Sequence, residues 1–426
     1  MSDKILVFPS STEIGYEIRR SFEFVKNIKL CGASDSFDRR DSLLYEEFFT
    51  LPSVSNEQSC LDALNAEINV RGITHIFPAH DDATYFLSKN KDKLKAKVLA
   101  LDFNVVDVLR YKSKTYDLLT TIVPTPLYFH DKSNGLSESD FPVFCKPDRG
   151  QGSQGVCVAY SKNDLPIGGY IYCELLTGDE YTIDCLSDNN GNLIYSMGRI
   201  RKATRNGIST TTEFVADDEF INYAKLISDC LSIKGAWFFQ MKRDKSGKLK
   251  LLEVAPRVAG TMGLARARGV NLPLLHKFIF DGCTVDVIEN DQPNRVMRSL
   301  EQTANFSIPK VLYIDFDDTL VKDGLVNSHL LSFVFTVYNK FGSVVLITRH
   351  SNVLSSSLSK YRLSGVFDRV IHITNQKKKS EFIKADLEQY SVKPYEYILF
   401  VDDSFSERKE VSDSLGIDTV DHTAFS

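Results

Sequence analysis

Near the C-terminus, the run Val311-Leu312-Tyr313-Ile314 leads into Asp315-Phe316-Asp317-Asp318-Thr319. The run reads as a buried strand. Side chains alternate along a strand, so Asp315 and Asp317 face one site while Phe316 points away. Two carboxylates so placed suit a nucleophile and a general acid around a magnesium ion. The same string also suits a polar turn. Three later segments favour chemistry. Residues 343–348, Ser-Val-Val-Leu-Ile-Thr, form a second apolar strand that ends in the hydroxyl of Thr348. Lys377, Lys378 and Lys379 open an amphipathic helix with Phe382, Ile383 and Leu387 on one side. Tyr397-Ile398-Leu399-Phe400-Val401 is a third strand, ending in Asp402-Asp403 with Glu407 following.

The middle of the chain holds a second set. Residues 141–147, Phe-Pro-Val-Phe-Cys-Lys-Pro, read as a strand carrying Lys146, followed by Gly150-Gln151-Gly152-Ser153-Gln154-Gly155. A dinucleotide fingerprint requires a helix next, but Val156-Cys157-Val158-Ala159-Tyr160 alternates like a strand. The segment is therefore a glycine-rich flap between antiparallel strands. Its amides can close over phosphates, with Lys146 adding charge. A plain flexible hairpin is the alternative. Farther on, Trp237-Phe238-Phe239-Gln240 and Leu251-Leu252-Glu253 flank a turn at Asp244-Lys245-Ser246-Gly247. Gln240 and Glu253 can face each other across this hairpin. Magnesium shared between one or two carboxylates and nucleotide phosphates fits two such donors. A cross-strand ion pair between Glu253 and a lysine is the alternative.

The elements that position these residues begin with a strand–helix rhythm. Strands are predicted over 4–8, 28–33 and 75–77, and helices over 12–24, 60–69 and 82–88. Such βαβ alternation implies a parallel sheet. Pro9-Ser10-Ser11 stands where a dinucleotide binder has glycines, so NAD binding is not expected. His80, Asp81 and Asp82 follow a strand, where open α/β sheets place ligands. Helix capping by Asp81 or Asp82 is the competing reading.

Residues 308–426 resemble the haloacid dehalogenase (HAD) superfamily: strand–acid, strand–Thr, Lys, then strand–acid–acid, in order. The resemblance implies that Asp315 attacks a phosphoryl group and Asp317 protonates the leaving oxygen. It implies that Thr348 and a lysine, Lys379 in preference to Lys378, hold the phosphoryl oxygens. Asp315, Asp317 and Asp402, with Asp403, would form the Mg²⁺ site, which hard oxygen ligands suit. About 29 residues separate Thr319 from Thr348 and about 31 separate Thr348 from Lys379. Neither gap has room for a cap domain, so the site should be open to a large substrate or covered by the rest of the chain.

Residues 1–300 resemble the ATP-grasp superfamily, specifically carboxylate–amine ligases akin to the carbamoyl-phosphate synthetase large subunit. The resemblance implies that Lys112 and Lys146 bind nucleotide and that Gly152, Ser153 and Gly155 belong to the flap. The hinge around Glu174 and Leu175 would meet adenine, and Glu180 the ribose. Gln240 and Glu253 would ligate magnesium, and Arg257 would steady the γ-phosphate or an acyl phosphate. Arg199, Arg201 and Arg205 resemble a basic substrate loop, with a solvated charged strand as the alternative. Many relatives read E-x-N-P-R, but Ala255 replaces the asparagine, which puts a fully occupied second metal site in doubt. E-x-A-P-R also resembles the aminoimidazole ribonucleotide carboxylase-type ligases.

The expected architecture is multidomain, α/β and α+β. A parallel α/β domain spans 1–105, and an ATP-grasp fold spans 106–307 with its flap over about 120–185. A capless, Rossmann-like phosphatase domain spans 308–426. The expected function is bifunctional: ATP-dependent carboxylate–amine ligation with ADP release, plus phosphate-ester hydrolysis through an aspartyl-phosphate. ATP and Mg²⁺ are the expected cofactors, with Mn²⁺ as a substitute. The partners are small carboxylates and amines and a phosphorylated metabolite, and a homodimer is left open. Two other readings stand: a nucleotide-binding module that regulates the phosphatase, and a phosphatase of nucleic-acid ends.

Composition agrees with a cytoplasmic enzyme. The 426 residues are 43% hydrophobic and 25% charged, and the net charge of −5 offers no basic footprint for nucleic acid. The N-terminus reads as a strand rather than a signal peptide, and no apolar run reaches the ~18 residues that span a membrane. The eight cysteines lack a C-x-x-C pair. Cys145, Cys157, Cys173 and Cys185 read as buried thiols rather than a disulfide frame or zinc site.

Overall fold

The computed structural model describes residues 2–36, 41, 44–130, 135–150, 152, 154–205, 208–298 and 307–425. The chain divides into two compact units, Met1–Glu301 and Gln302–Ser426. No described helix is long and apolar enough to cross a membrane.

The first unit opens with strands β1 (Asp3–Phe8), β2 (Ile28–Ser34), β3 (Phe48–Thr50), β4 (His75–Pro78) and β5 (Lys97–Val98). They form one sheet in the order β3-β2-β1-β4-β5, and every pairing is parallel. The helices Glu13–Phe22, Glu57–Arg71 and Asp81–Lys89 connect them, as the alternation of the sequence requires. Gly15 lets the first helix lie against the turn after β1, because a Cβ there would stand 2.3 Å from the Ser10 carbonyl oxygen.

Strands β6 (Tyr128–Phe129), β7 (Val143–Pro147), β8 (Cys157–Ala159) and β9 (Tyr170–Glu174) form an antiparallel sheet in the order β6-β9-β7-β8. A six-stranded sheet then runs β14-β13-β10-β11-β12-β15. Its strands are β10 (Glu180–Ser187), β11 (Leu193–Arg205), β12 (Ile208–Phe214), β13 (Gly235–Arg243), β14 (Leu249–Ala255) and β15 (Arg295–Met297). One face of this sheet buries Ile183, Ile200, Trp237, Phe239 and Met241. The helix Asp218–Leu231 covers it with Phe220, Ala224, Ile227 and Leu231, a helical stripe of buried positions.

The second unit is a parallel sheet in the order β20-β19-β16-β21-β22. Its strands are β16 (Val311–Ile314), β19 (Ser343–Thr348), β20 (Arg369–His372), β21 (Ile398–Val401) and β22 (Asp418–Val420). Between β16 and β19 lie a small hairpin, β17 (Val321–Lys322) and β18 (Leu325–Val326), and the helix Ser328–Asn339. The three central strands are mostly apolar runs because helices cover both faces, which leaves them buried apart from the half-buried Ser343 that opens β19.

Three expectations are corrected. Cys157 is exposed, because the short edge strand β8 turns it outward. His80, not Asp81 or Asp82, caps the helix Asp81–Lys89: its Nδ1 accepts from the Asp82 amide at 3.4 Å. Arg199 is not on a solvated strand. It is 1% exposed and bonded to Asp184 through Nε at 2.7 Å and Nη2 at 3.2 Å.

Candidate functional site

The six-stranded sheet aligns a row of polar side chains on the face opposite its apolar core. Glu253 pairs with Gln240, Gln240 with Thr182, and Thr182 with Arg199. Directly paired residues share a face, so β14, β13, β10 and β11 each contribute one member. The hairpin expectation for Gln240 and Glu253 therefore agrees with the register. Glu253 makes no ion pair among the described residues, so its alternative as a partner of a cross-strand lysine is not realised; Lys250 pairs with Glu174 at 3.5 Å.

A cleft of about 30 Å³ lies beside Glu253, lined also by Asp81, Arg110, Lys112 and the backbone of Gly150. Lys112 donates to the carbonyls of Pro147 at 3.2 Å and Gly150 at 3.1 Å. Lys146, 6% exposed, donates to the Tyr116 hydroxyl at 2.5 Å and the Leu252 carbonyl at 3.3 Å. Neither ammonium touches a carboxylate among the described residues. Burial holds both lysines below their ordinary values, against the pull of Glu253. Two ammoniums bonded to neutral oxygens, near a free carboxylate, are arranged for an incoming anion with a cation.

The flap joins β7 to β8, and Gly152 and Gly155 have φ of 59° and 70°, a region that favours glycine. Ser153 lies outside the described residues. Glu174 ends β9 and accepts from the Leu127 amide at 3.0 Å, while Leu175 follows it half-buried. Glu180 is held by Arg201, with Lys242 at 3.9 Å. Arg257 lies over the Phe238 ring at 5.2 Å and bonds twice to Asp81. Desolvation opposes the Asp81 charge, but Arg257 outweighs it and brings Asp81 down to about 2. Ala255 is buried against Phe238 and Ala259 and supplies no ligand atom. Of the basic set, Arg199 and Arg201 are committed to Asp184 and Glu180. Arg205 ends β11 exposed.

In the second unit, the ends of β16, β19 and β21 converge, since Ile314 pairs with both Leu346 and Val401. Ligands of parallel sheets sit at such carboxyl ends. Lys379 bridges two acids, with Nζ 2.7 Å from Asp315 and 2.6 Å from Asp402. Carboxylate oxygens of Asp315, Asp402 and Asp403 lie within 4.8 Å of one another. This all-oxygen donor set fits a hard divalent cation. Burial, reinforced by Asp402, raises Asp315 to about 7 although Lys379 opposes it. Burial also raises Asp402. On Lys379 burial acts the other way, but the two carboxylates prevail and hold its ammonium above the ordinary value.

Thr348, 1% exposed, ends β19 and accepts from the His350 amide at 3.2 Å. Lys378 sits just before the helix Lys379–Gln389, its Nζ 3.8 Å from Glu410 and away from the cluster. Lys377 is exposed. Asp317 is half-open to solvent, with both oxygens about 3 Å from His350 Nδ1. His350 Nε2 lies 2.7 Å from the Ser357 hydroxyl. The sequence reading missed His350; its signal was a histidine two residues past the strand-ending Thr348.

Residues 169–303 match the family model described as ATP-grasp in the biosynthetic pathway with Ter operon. No curated protein matches the chain. Among solved structures, N5-carboxyaminoimidazole synthetase from Staphylococcus aureus, complexed with ADP, is 14% identical. That match covers 70% of this chain and 82% of the other, with a TM-score of 0.57. The biotin carboxylase domain dimer of Hydrogenobacter thermophilus 2-oxoglutarate carboxylase, a complex with MgADP, ADP and bicarbonate, is 15% identical over 68% of this chain and 71% of its own, TM-score 0.55. The L-amino acid ligase of Bacillus licheniformis is 17% identical over 66% and 74%, TM-score 0.51. The chain contains an ATP-grasp domain within a mixed α/β architecture that includes parallel sheets.

Proposed function

We propose that residues 1–307 are an ATP-dependent carboxylate–amine ligase, with a leading domain over 1–105, the ligase fold over 106–307 and a flap over about 120–185. The observation that carries this reading is the pair of ammoniums, Lys112 and Lys146, that bond only neutral oxygens, near the Glu253 carboxylate, which makes no ion pair; all of this holds among the described residues. The similarity to a synthetase bound to ADP and to an L-amino acid ligase supports it. Gln240 and Glu253 would hold magnesium, which neutralises phosphate charge when bound. The lysines and flap amides stabilise the phosphoryl group in transit from ATP to the carboxylate. Glu174 and Leu175 border the adenine, Glu180 faces the ribose, and Arg257 steadies the acyl phosphate. An amine then attacks the acyl carbon, forming an amide and releasing phosphate. The test is nucleotide turnover with pools of carboxylates and amines: ADP should form only with both, and not after Lys146→Ala or Glu253→Ala.

A second activity is favoured by the cluster at the carboxyl ends of β16 and β21. Residues 308–426 are read as a HAD-type, Mg²⁺-dependent phosphatase acting on a phosphorylated metabolite. Asp315 attacks phosphorus and releases the alcohol, to which Asp317 gives its proton. Water then cleaves the aspartyl-phosphate. Thr348 and Lys379 bind the phosphoryl oxygens, and Asp402 would complete the oxygen set that holds the ion. Lys379, bridging Asp315 and Asp402, keeps the two acids close before an ion arrives. In single-turnover hydrolysis in H₂¹⁸O with enzyme in excess, the first phosphate should carry little label. Fully labelled phosphate would mean direct attack by water.

A further inference from the structure

The functional face of the six-stranded sheet continues past Arg199. Thr212 pairs with both Arg201 and Val296, so these residues share the face with Arg199. Arg298 follows two residues after Val296, and its amide extends the ladder to the Thr210 carbonyl at 2.7 Å. There the protein forms a narrow cleft of about 10 Å³, lined by Arg298, Ser209, Thr210, Thr212, Thr261 and Glu17.

The cleft holds unused donors. The Arg298 side chain, partly buried, makes no hydrogen bond or ion pair among the described residues, which leaves five N–H groups. The hydroxyls of Thr210 and Thr261 are likewise unbonded among the described residues. On the same face, Arg199 gives Nε and Nη2 to Asp184, and its buried Nη1 has no partner among the described residues. Glu17 attracts Arg298 but forms no ion pair with it among the described residues, being bonded instead by Arg20 at 3.1 Å and Arg266 at 3.1 Å. Burial lowers the Arg298 guanidinium against the attraction of Glu17 and Glu13, a cost that a bound anion relieves.

We propose that this cleft binds a carboxylate at the far end of the ligase's substrate, an inference that rests on the ligase reading above. A planar carboxylate matches a guanidinium fork with two parallel bonds. The narrow cleft disfavours the bulkier, tetrahedral phosphate. Distance supplies the rest. Thr212 on β12 is four strand spacings from Glu253 on β14, about 19 Å. Arginine reach shortens that gap but does not close it. The carboxylate held by Arg298 is therefore not the one phosphorylated beside Glu253, and the substrate is elongated, anionic at the end remote from the reacting group.

The experiment is calorimetric titration of the full chain with glutarate, its neutral isostere glutaramide, and inorganic phosphate. Glutarate should bind saturably and glutaramide should not. Arg298→Gln should weaken glutarate about 10- to 100-fold, the size of a lost charge-assisted pair. Arg298→Lys should retain part of the affinity, and Thr261→Val should cost less than Arg298→Gln. Absence of saturable glutarate binding, unchanged affinity in both Arg298 variants, or Arg298-dependent phosphate binding tighter than glutarate would each overturn the proposal. MgATP titrated separately into the unaltered protein tests the ligase reading. If MgATP fails to bind while glutarate still depends on Arg298, that reading falls and the cleft stands.

Discussion

Arg257 and Asp81, 176 positions apart, form a doubly bonded ion pair: Nε to Oδ1 at 2.6 Å and Nη2 to Oδ2 at 2.7 Å. The pair ties the loop after β14 to the helix after β4, so the leading sheet sets the direction of Arg257. Both side chains are mostly buried, at 11% and 15% exposed. Removing one partner strands the other charge, which costs about 3 kcal/mol. Asp81→Ala should lower the urea midpoint accordingly, with the slope unchanged. A shift under about 0.5 kcal/mol, typical of surface changes, would show that the pair is not structural.

His276 makes a second tie between these layers. Its Nδ1 accepts from the Ala236 amide at 2.8 Å and its Nε2 lies 3.0 Å from the Leu99 carbonyl. Burial lowers it from 6.5 to about 4. A base whose folded value is depressed is protonated first in the unfolded chain. Stability is thus full above about 6.5 and declines as pH falls toward 4, by roughly 3 kcal/mol. His276→Asn should flatten stability against pH in that window. An unchanged slope would remove His276 as the cause.

Much of this was legible in the sequence, for identifiable reasons. Alternation and turn residues are local, so the βαβ rhythm, the Gln240–Glu253 hairpin and the acids at strand ends could be read directly. Arg199 could not, because its burial depends on Asp184 reaching it across a register that only the folded sheet defines. The Asp81–Arg257 pair and the Tyr116 hydroxyl on Lys146 are likewise long-range contacts. The sequence alone does not separate Lys379 from Lys378, because the choice depends on where the helix starts; that start turns Lys379 inward and leaves Lys378 outside.

The contact with His350 orients the Asp317 carboxyl group. Asp317→Asn should slow phosphate-ester hydrolysis by roughly 10²–10⁴, most for poor leaving groups. Asp315→Asn should reduce it to background. An equal loss for good and poor leaving groups would deny Asp317 the acid role. Asp402→Asn should weaken Mg²⁺ binding, so that activity needs more magnesium and recovers in part at high concentration.

The second unit has its own buried sheet and cores on both faces. A fragment starting near Ile308 should therefore fold alone and hydrolyse a generic phosphate ester with Mg²⁺. A folded fragment inert toward every ester would leave the carboxylate cluster without that function.

The central claim is that Lys112, Lys146 and Glu253 serve phosphoryl transfer to a carboxylate. Identification of the nucleotide released with carboxylate and amine pools tests it most directly. ADP and inorganic phosphate, formed in equal amounts and lost in Lys146→Ala and Glu253→Ala, are the predicted products. AMP with pyrophosphate, or ADP formation untouched by both substitutions, would contradict it.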